Sequence, residues 1–296
     1  MLAQVRRLPA APGVYRFRDE RGRVLYVGRA TDLRARAGSY FSALRDRPHL
    51  RRMVRQIARV EAVACDSVHE AAWLERNLLE HAMPRWNRTA GGQEVPLYLR
   101  LDPGPARPGL RAVHEPRPGS FGPYLGGVRA RAAVGALHRL FPLPYAGAGL
   151  TGAERDMAAR LGVTAADRNR LLAGVQAVLR RDPAAVAAAA ARLTALRDTA
   201  SAALHFEHAG RLQEEIRALD WVTCPQRVTA PDGDFAVAGW SGGVGVRFTV
   251  RAGRLCEWTQ RPSASPTVTD GPPGWPAFAR RTAELAAALI SGSPYP

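Results

Sequence analysis

The chain has 296 residues, enough for two or three small domains, and 46% of them are apolar, which is ordinary globular composition. No apolar run approaches the ~20 residues of a membrane span, and the opening residues lack the apolar stretch of a signal peptide, so a soluble cytoplasmic protein is the default expectation. Charge says more: 42 basic residues face 26 acidic ones, no lysine is present, and residues 1–145 hold 25 arginines against 12 acids whereas the remainder holds 17 against 14. A basic excess gathered in one half is the footprint of a polyanion binder.

In chain order, Gly13–Arg18 and Val24–Gly28 read as two short strands joined by the turn sequence Asp19-Glu-Arg-Gly22. A helix follows, with Thr31 or Asp32 as N-cap and an apolar stripe at Leu33, Ala37, Tyr40 and Phe41. A second helix is predicted from about Pro48 to Arg59, then a strand from Val60 to Cys65. Ser67-Val-His-Glu70 is a capping box opening a helix to about His81. Leu97–Leu101 is a strand. Residues 102–128, rich in Pro and Gly, read as a linker, and Arg129–Phe141 as a helix followed by a loop over 142–152. Helices are predicted near 153–162, 165–181 and 183–219, the last opened by Asp182 as N-cap and Pro183. Phe235–Trp240, Val244–Val250 and Leu255–Trp258 read as antiparallel strands, and a Pro/Ser-rich stretch over 262–276 precedes a final helix to about Ile290. Cys65, Cys224 and Cys256 lie far apart with no Cys-x-x-Cys pair, which suggests neither a zinc site nor a disulfide framework.

Three features carry chemistry. If Arg18 faces Arg23 across the first turn, then Tyr15 faces Tyr26 and both phenols project from one face of the hairpin. Arg36 lies one helical turn from both Leu33 and Tyr40 and so borders the buried stripe. Glu75 has Ala71, Ala72, Leu78, Leu79 and Ala82 as its helical neighbours, and a carboxylate in an apolar face is expensive to bury unless a metal ion or an arginine compensates it. Each of these taken alone also fits an ordinary packed or solvated side chain.

Pro12-Gly-Val-Tyr-Arg-Phe, Leu25-Tyr-Val-Gly-Arg-Ala-Thr-Asp-Leu-Arg-Ala-Arg, Ser39-Tyr-Phe, Trp73-Leu-Glu-Arg-Asn-Leu-Leu and Pro84-Arg-Trp-Asn87 together resemble the GIY-YIG endonucleases, in particular the N-terminal half of the UvrC-type excision nucleases. Phe121-Gly-Pro-Tyr and Leu140-Phe-Pro-Leu match segments that follow in that family, and the length is closer to its short, Cho-like members. The resemblance implies an α+β chain. Residues 1–101 would be a small α/β/α nuclease domain with a short central antiparallel sheet, and 102–152 a Pro/Gly-rich connector with one helix. Residues 153–220 would be a helical region, and 221–296 a small β-rich part with a C-terminal helix. It implies a single-strand incision in damaged duplex DNA dependent on one Mg²⁺ or Mn²⁺ ion, with Glu75 as metal ligand. Tyr15, Tyr26, Arg36, Tyr40 and Asn87 would complete the catalytic set, and Gly28, Arg29 and Arg34 would contact DNA phosphate. Tyr26, made more acidic by nearby arginine and metal, would take the proton of the attacking water, with Tyr15 orienting it.

Departures from the family pattern sharpen these expectations. Arg29 stands where the family usually carries lysine, and a guanidinium stays protonated, so positive charge is the role left to it. Pro144-Tyr-Ala-Gly-Ala-Gly-Leu-Thr151 replaces a family cysteine cluster, so neither an iron–sulfur cluster nor zinc is expected. Residues 193–219 resemble the helical hairpin through which the family contacts UvrB, although plain intramolecular packing competes with that reading. A structure-specific nuclease that needs no UvrB, and a non-catalytic DNA- or UvrB-binding module, are the rival functions.

Overall fold

The computed structural model describes residues 2–42, 48–88, 95–228, 233–265, 269 and 271–291. The chain divides into two compact units, Met1–Gln93 together with Pro225–Pro296, and Glu94–Cys224. Among the described residues no helix is long and apolar enough to cross a membrane. The architecture is mixed helix and sheet with small antiparallel sheets, as the sequence suggests.

The first unit opens with a short helix, α1 (Leu2–Arg6), and the hairpin of β1 (Gly13–Arg18) and β2 (Val24–Ala30). Its turn closes as the residue types dictate: the Asp19 carboxylate accepts the Arg23 backbone N–H at 2.8 Å, and Gly22 adopts φ +77°, a region where only glycine is comfortable. Helix α2 (Leu33–Ser42) is capped by Asp32, whose Oδ1 accepts the Ala35 N–H at 2.8 Å. Leu33, Ala37 and Tyr40 then bury against Tyr15 and Phe17. Helix α3 (Pro48–Val54) ends about a turn before the predicted Arg59. The chain there is claimed by the sheet: the Ala58 N–H donates to the Arg18 carbonyl at 2.8 Å, and β3 (Arg59–Ala64) starts at the next residue. Strand β1 is central, in the order β2-β1-β3. Helix α4 (Val68–His81) has the expected cap, Ser67 Oγ accepting the Glu70 N–H at 3.0 Å. The Glu70 carboxylate is spent differently from the expected box. It is fully buried and accepts the backbone N–H groups of Asp66 at 2.8 Å and Arg227 at 3.0 Å.

The second unit is built on β4 (Leu97–Asp102), β5 (Gly109–Val113) and β6 (Phe121–Tyr124), in the order β5-β4-β6. The predicted last strand of the nuclease therefore belongs to another sheet, and the expected linker supplies two of its strands. Leu97, Leu99, Leu110 and Tyr124 bury in one core with Ala130, Ala133 and Leu137 of α5 (Gly127–Leu140); the flanking Pro and Gly hide this short alternation in the sequence. Helices α6 (Gly152–Leu161), α7 (Arg168–Leu179), α8 (Pro183–Ala202) and α9 (Phe206–Thr223) follow. Asp182 caps α8 as expected, accepting the Ala185 N–H at 2.8 Å. The helical stretch read over 183–219 is a hairpin, as the resemblance over 193–219 implies, and it reverses at Ala203–His205, where Leu204 has φ +59°. Leu193 on α8 and Leu212 and Leu219 on α9 meet in the core, whereas one continuous helix would leave both apolar stripes in water.

The chain then returns to the first unit. Strands β7 (Phe235–Ser241), β8 (Val244–Arg251) and β9 (Arg254–Pro262) form an antiparallel meander, followed by α10 (Trp275–Ser291). Part of the predicted Pro/Ser-rich stretch before α10, residues 266–268 and 270, lies outside the described residues. Helix α10 packs against β7 and β8 on one side and β3 on the other, and α4 packs against β1, β2 and β9. Ala-rich α10 suits that double contact. At Gly239 of β7 the place of a Cβ is taken by the Ala279 backbone of α10. Residues 225–291 are thus part of the same fold as the first strands.

Candidate active site

Along the first hairpin Tyr15 pairs with Gly28 and Phe17 with Tyr26, and a bulge after Phe17 brings Val24 opposite Arg18. The expected facing of Tyr15 and Tyr26 is therefore displaced by two positions: Arg18 faces Val24 where Arg23 is expected, and the bulge after Phe17 adds the second. Strand periodicity is two, so both rings still share one face. Gly28 has a specific job there. A Cβ at that position would lie 2.6 Å from Tyr15 Oη and 2.7 Å from Tyr26 Cε1, so the missing side chain is the space in which the two rings sit.

Tyr40 completes the cluster from α2. Tyr15 Oη donates to Tyr40 Oη at 2.9 Å, and the three ring centroids are 5.9 to 6.2 Å apart. Phe17 lies edge-on beneath Tyr40 at 5.3 Å. Arg36, one turn before Tyr40, holds its guanidinium carbon 5.5 Å from that ring. Glu75 reaches the same corner from α4 with its side chain 19% exposed; Oε1 accepts the Arg29 backbone N–H at 3.1 Å, and Oε2 lies 3.4 Å from Arg29 Nε.

Two predicted residues hold the site rather than face it. Asn87 spends both ends of its carboxamide on one residue: Oδ1 accepts the Val27 N–H at 3.0 Å and Nδ2 donates to the Val27 carbonyl at 2.8 Å. With the Trp86 N–H donating to the Leu25 carbonyl at 3.2 Å, this segment fastens the free edge of β2 beside Gly28. Arg34 donates from Nε to the Leu8 carbonyl at 2.7 Å. Among the described residues no contact brings its guanidinium to the phenols.

Arginine alone does not make Tyr26 more acidic: burial raises it, Tyr40 and Glu75 raise it further, and Arg36 acts against them, so the acidifying influence expected there would have to come from a cation on Glu75. Burial likewise pushes Tyr15 well above the ordinary range, with Tyr40 and Tyr26 adding to it. Both are neutral phenols at pH 7, able to donate and accept hydrogen bonds. Glu75 is raised by burial and pulled back by Arg29 and Arg36, a carboxylate whose charge is short of solvation. That donor set fits one hard divalent cation. Among the described residues no group of three or more His, Cys, Asp or Glu converges, so an ion on Glu75 would take most of its shell from water and phosphate, as Mg²⁺ commonly does.

Sequence reading missed the groups that brace the hairpin from behind. Arg16, on the opposite face of β1 from Tyr15, is paired with Glu61 of β3, its guanidinium lies 3.8 Å from the Trp258 ring, and Nη1 donates to the Trp258 carbonyl at 2.6 Å. Arg18 and Arg59 also reach Glu61, at 2.8 and 3.1 Å. Burial pushes Arg16 down to about 10 while Glu61 opposes the shift. The available signal was Glu61 itself, a carboxylate inside the apolar strand Val60-Glu-Ala-Val63.

Residues 11–88 match the UvrC-like GIY-YIG domain. Over a longer span the chain is similar to the UvrABC system protein C of Syntrophotalea carbinolica, 32% identical over 249 residues that make up 78% of this chain and 40% of the relative. It is also similar to that of Gloeobacter violaceus, 32% identical over 266 residues, 84% of this chain and 42% of the relative. The chain thus spans about two fifths of the length of these curated relatives. Among solved structures, the GIY-YIG N-terminal endonuclease domain of UvrC from Thermotoga maritima, bound to magnesium as its catalytic divalent cation, is 28% identical. It covers 29% of this chain and 92% of that one, with a TM-score of 0.27.

Proposed function

We propose that this chain, which carries a UvrC-like GIY-YIG endonuclease domain over residues 11–88, makes a single-strand incision in damaged DNA with the help of one divalent cation. The observation that carries this reading is the meeting of a poorly solvated carboxylate, Glu75, with Arg36 and three packed phenols beside the close-approach glycine Gly28.

Phosphodiester hydrolysis needs an attacking water held in line, charge neutralisation on the phosphate, and a stabilised leaving oxygen. Arg36 is suited to the phosphate, since a guanidinium grips two oxygens at once. Tyr26, part exposed, is placed to hold the water by a hydrogen bond, and the buried Tyr15 fixes the ring cluster behind it. Tyr26 can take the water's proton only as a phenolate, after its own proton has passed to solvent; its surroundings favour the phenol, and the positive charge of Arg36 and of a cation on Glu75 would favour the phenolate. Tyr40 anchors Tyr15. Asn87 and Gly28 act by placing β2 and the rings, so Asn87 is a positioning residue here. Arg29 is half exposed at the rim and contributes positive charge. Mg²⁺ or Mn²⁺ held by Glu75 would supply further charge at the phosphate and the leaving 3′ oxygen.

The relatives are components of a UvrABC system, and delivery to the lesion by a UvrB-like protein is part of the proposal. The α8–α9 hairpin supports it: Leu204 is 72% and Phe206 66% exposed at its turn, apolar area that a partner would cover. The test is incision of an end-labelled, lesion-bearing duplex with and without UvrB, for the wild type and Glu75→Ala. The expected result is Mg²⁺-dependent nicking stimulated by UvrB and lost in Glu75→Ala, whose DNA binding persists. Nicking by Glu75→Ala would remove the active site proposed here, and nicking indifferent to UvrB would remove the partner.

A further inference from the structure

We propose that the solvent face of the β7–β8–β9 sheet is a second DNA-contacting surface, one that grips a sugar–phosphate backbone without reading sequence. The choice of DNA among polyanions rests on the nuclease reading above.

Strand β8 alternates along its whole length. Val244, Val246, Phe248 and Val250 are buried, while Arg247 and Arg251 point outward with Thr249 between them and Gly245 before Arg247. The neighbouring strands keep the same register: Arg247 lies between Ala238 and Thr259, and Gly245 faces Arg261. Arg247 and Arg261 are therefore diagonal neighbours on one face, about 7–8 Å apart at the backbone. Short side chains down the middle leave an open trough of about 340 Å³, lined by Arg247, Arg261, Thr249 and Thr259, with Glu257 as its one carboxylate.

The arginines of this face lack the ion pairing seen at several other arginines of the unit. Arg16, Arg18 and Arg59 converge on Glu61, Arg227 and Arg281 on Asp66, and Arg254 on Glu80. Among the described residues Arg247, Arg251 and Arg261 form no ion pair. A solvated sheet face ordinarily sets opposite charges across strands; this one carries three cations against one anion. Guanidinium groups match phosphate geometry, and threonine hydroxyls bond phosphate and sugar oxygens without sequence information. The trough is open along its length and lacks an apolar pocket, which suits a backbone lying across it and not an enclosed small ligand.

The test is binding of a short fluorescent single-stranded oligonucleotide to the whole chain in EDTA, over a range of salt. R247E/R261E should weaken binding about tenfold or more at low salt and lower the slope of log affinity against log salt by roughly 1.4, two contacts at ~0.7 each. R247K/R261K should keep both, which separates lost charge from a damaged sheet, and Glu257→Gln should tighten binding by about twofold to fivefold. Unchanged affinity and slope in the charge-reversed variant would overturn the proposal, as would polyglutamate displacing the oligonucleotide at a lower concentration of charge than unlabelled DNA. Nicking in Mg²⁺, measured in parallel, separates the two readings. A wild type that nicks while R247E/R261E binds normally sinks this surface alone, and loss of binding in that variant supports it even where the wild type does not nick.

Discussion

Gly28 shows how much of the candidate site depends on an atom that is missing. Its φ is unexceptional, so the usual reason for glycine, a left-handed backbone, does not apply. The space is what matters: a methyl group there would press on the Tyr15 hydroxyl and the Tyr26 ring edge. Tyr15 has no room to retreat, being fully buried and hydrogen-bonded to Tyr40. Gly28→Ala should therefore cost about 1–3 kcal/mol of stability through overpacking. It should cost more in function, roughly 10- to 100-fold in single-turnover nicking, since a shift of about 1 Å in catalytic groups has that effect. Urea unfolding and a nicking time course read the two separately, and a variant that nicks at the wild-type rate would show that the rings are not held by this contact. At this scale residue types were legible from the chain, because glycine, tyrosine, arginine and glutamate carry their chemistry with them. Their partners were not: the bulge after Phe17 and the bonding of Asn87 to Val27 are set by tertiary contacts that no local pattern announces.

Strand β1 is an element with two different faces. One carries Tyr15 and Phe17 into the aromatic cluster. The other carries Arg16 into a pocket made by Glu61 and Trp258, where three arginines share a single carboxylate. Taking charges out of water is costly, and the pairing returns that cost only while every partner is present. Glu61→Gln should accordingly destabilise the protein by about 3–5 kcal/mol, because Arg16 is left buried and charged. The double variant Arg16→Met, Glu61→Leu should recover most of that loss, an apolar pair of similar volume being often neutral in such a place. Urea denaturation of Arg16→Met, Glu61→Leu and the double variant gives the coupling energy directly, and strictly additive losses would show that the pair does not act as a unit. The same contrast explains which elements were legible. The first hairpin and the starts of α2, α4 and α8 are written in adjacent turn and cap residues. The break at Leu204 and the early end of α3 are imposed by packing partners distant in sequence.

At the scale of the whole molecule, the order of the sequence and the order of the fold differ. Residues 225–291 complete the first unit through Glu70, Trp258 and α10, and residues 94–224 form a separate core, so a division read left to right along the chain separates parts that fold together. Two cores drawn from separate residue sets should respond separately to acid, and His138 provides the means to see it. It lies half-buried on α5, its Nε2 accepts the Leu110 backbone N–H at 3.2 Å, and burial holds its pKa below the ordinary value. The unfolded chain therefore binds a proton that the folded unit resists. The stability this represents is complete above the ordinary histidine pKa of about 6.5 and is lost as pH falls from there through the depressed folded value. The proton also takes away the acceptor for Leu110, loosening β5 from α5. Hydrogen exchange followed from about pH 7 down to about pH 5, corrected for intrinsic rates, should show protection falling over residues 97–223 while residues 13–81 and 235–262 keep theirs. His138→Gln, which offers a non-titrating oxygen to the same N–H, should flatten that step. A step of equal size in both units, or one that survives in His138→Gln, would assign the acid sensitivity to other groups.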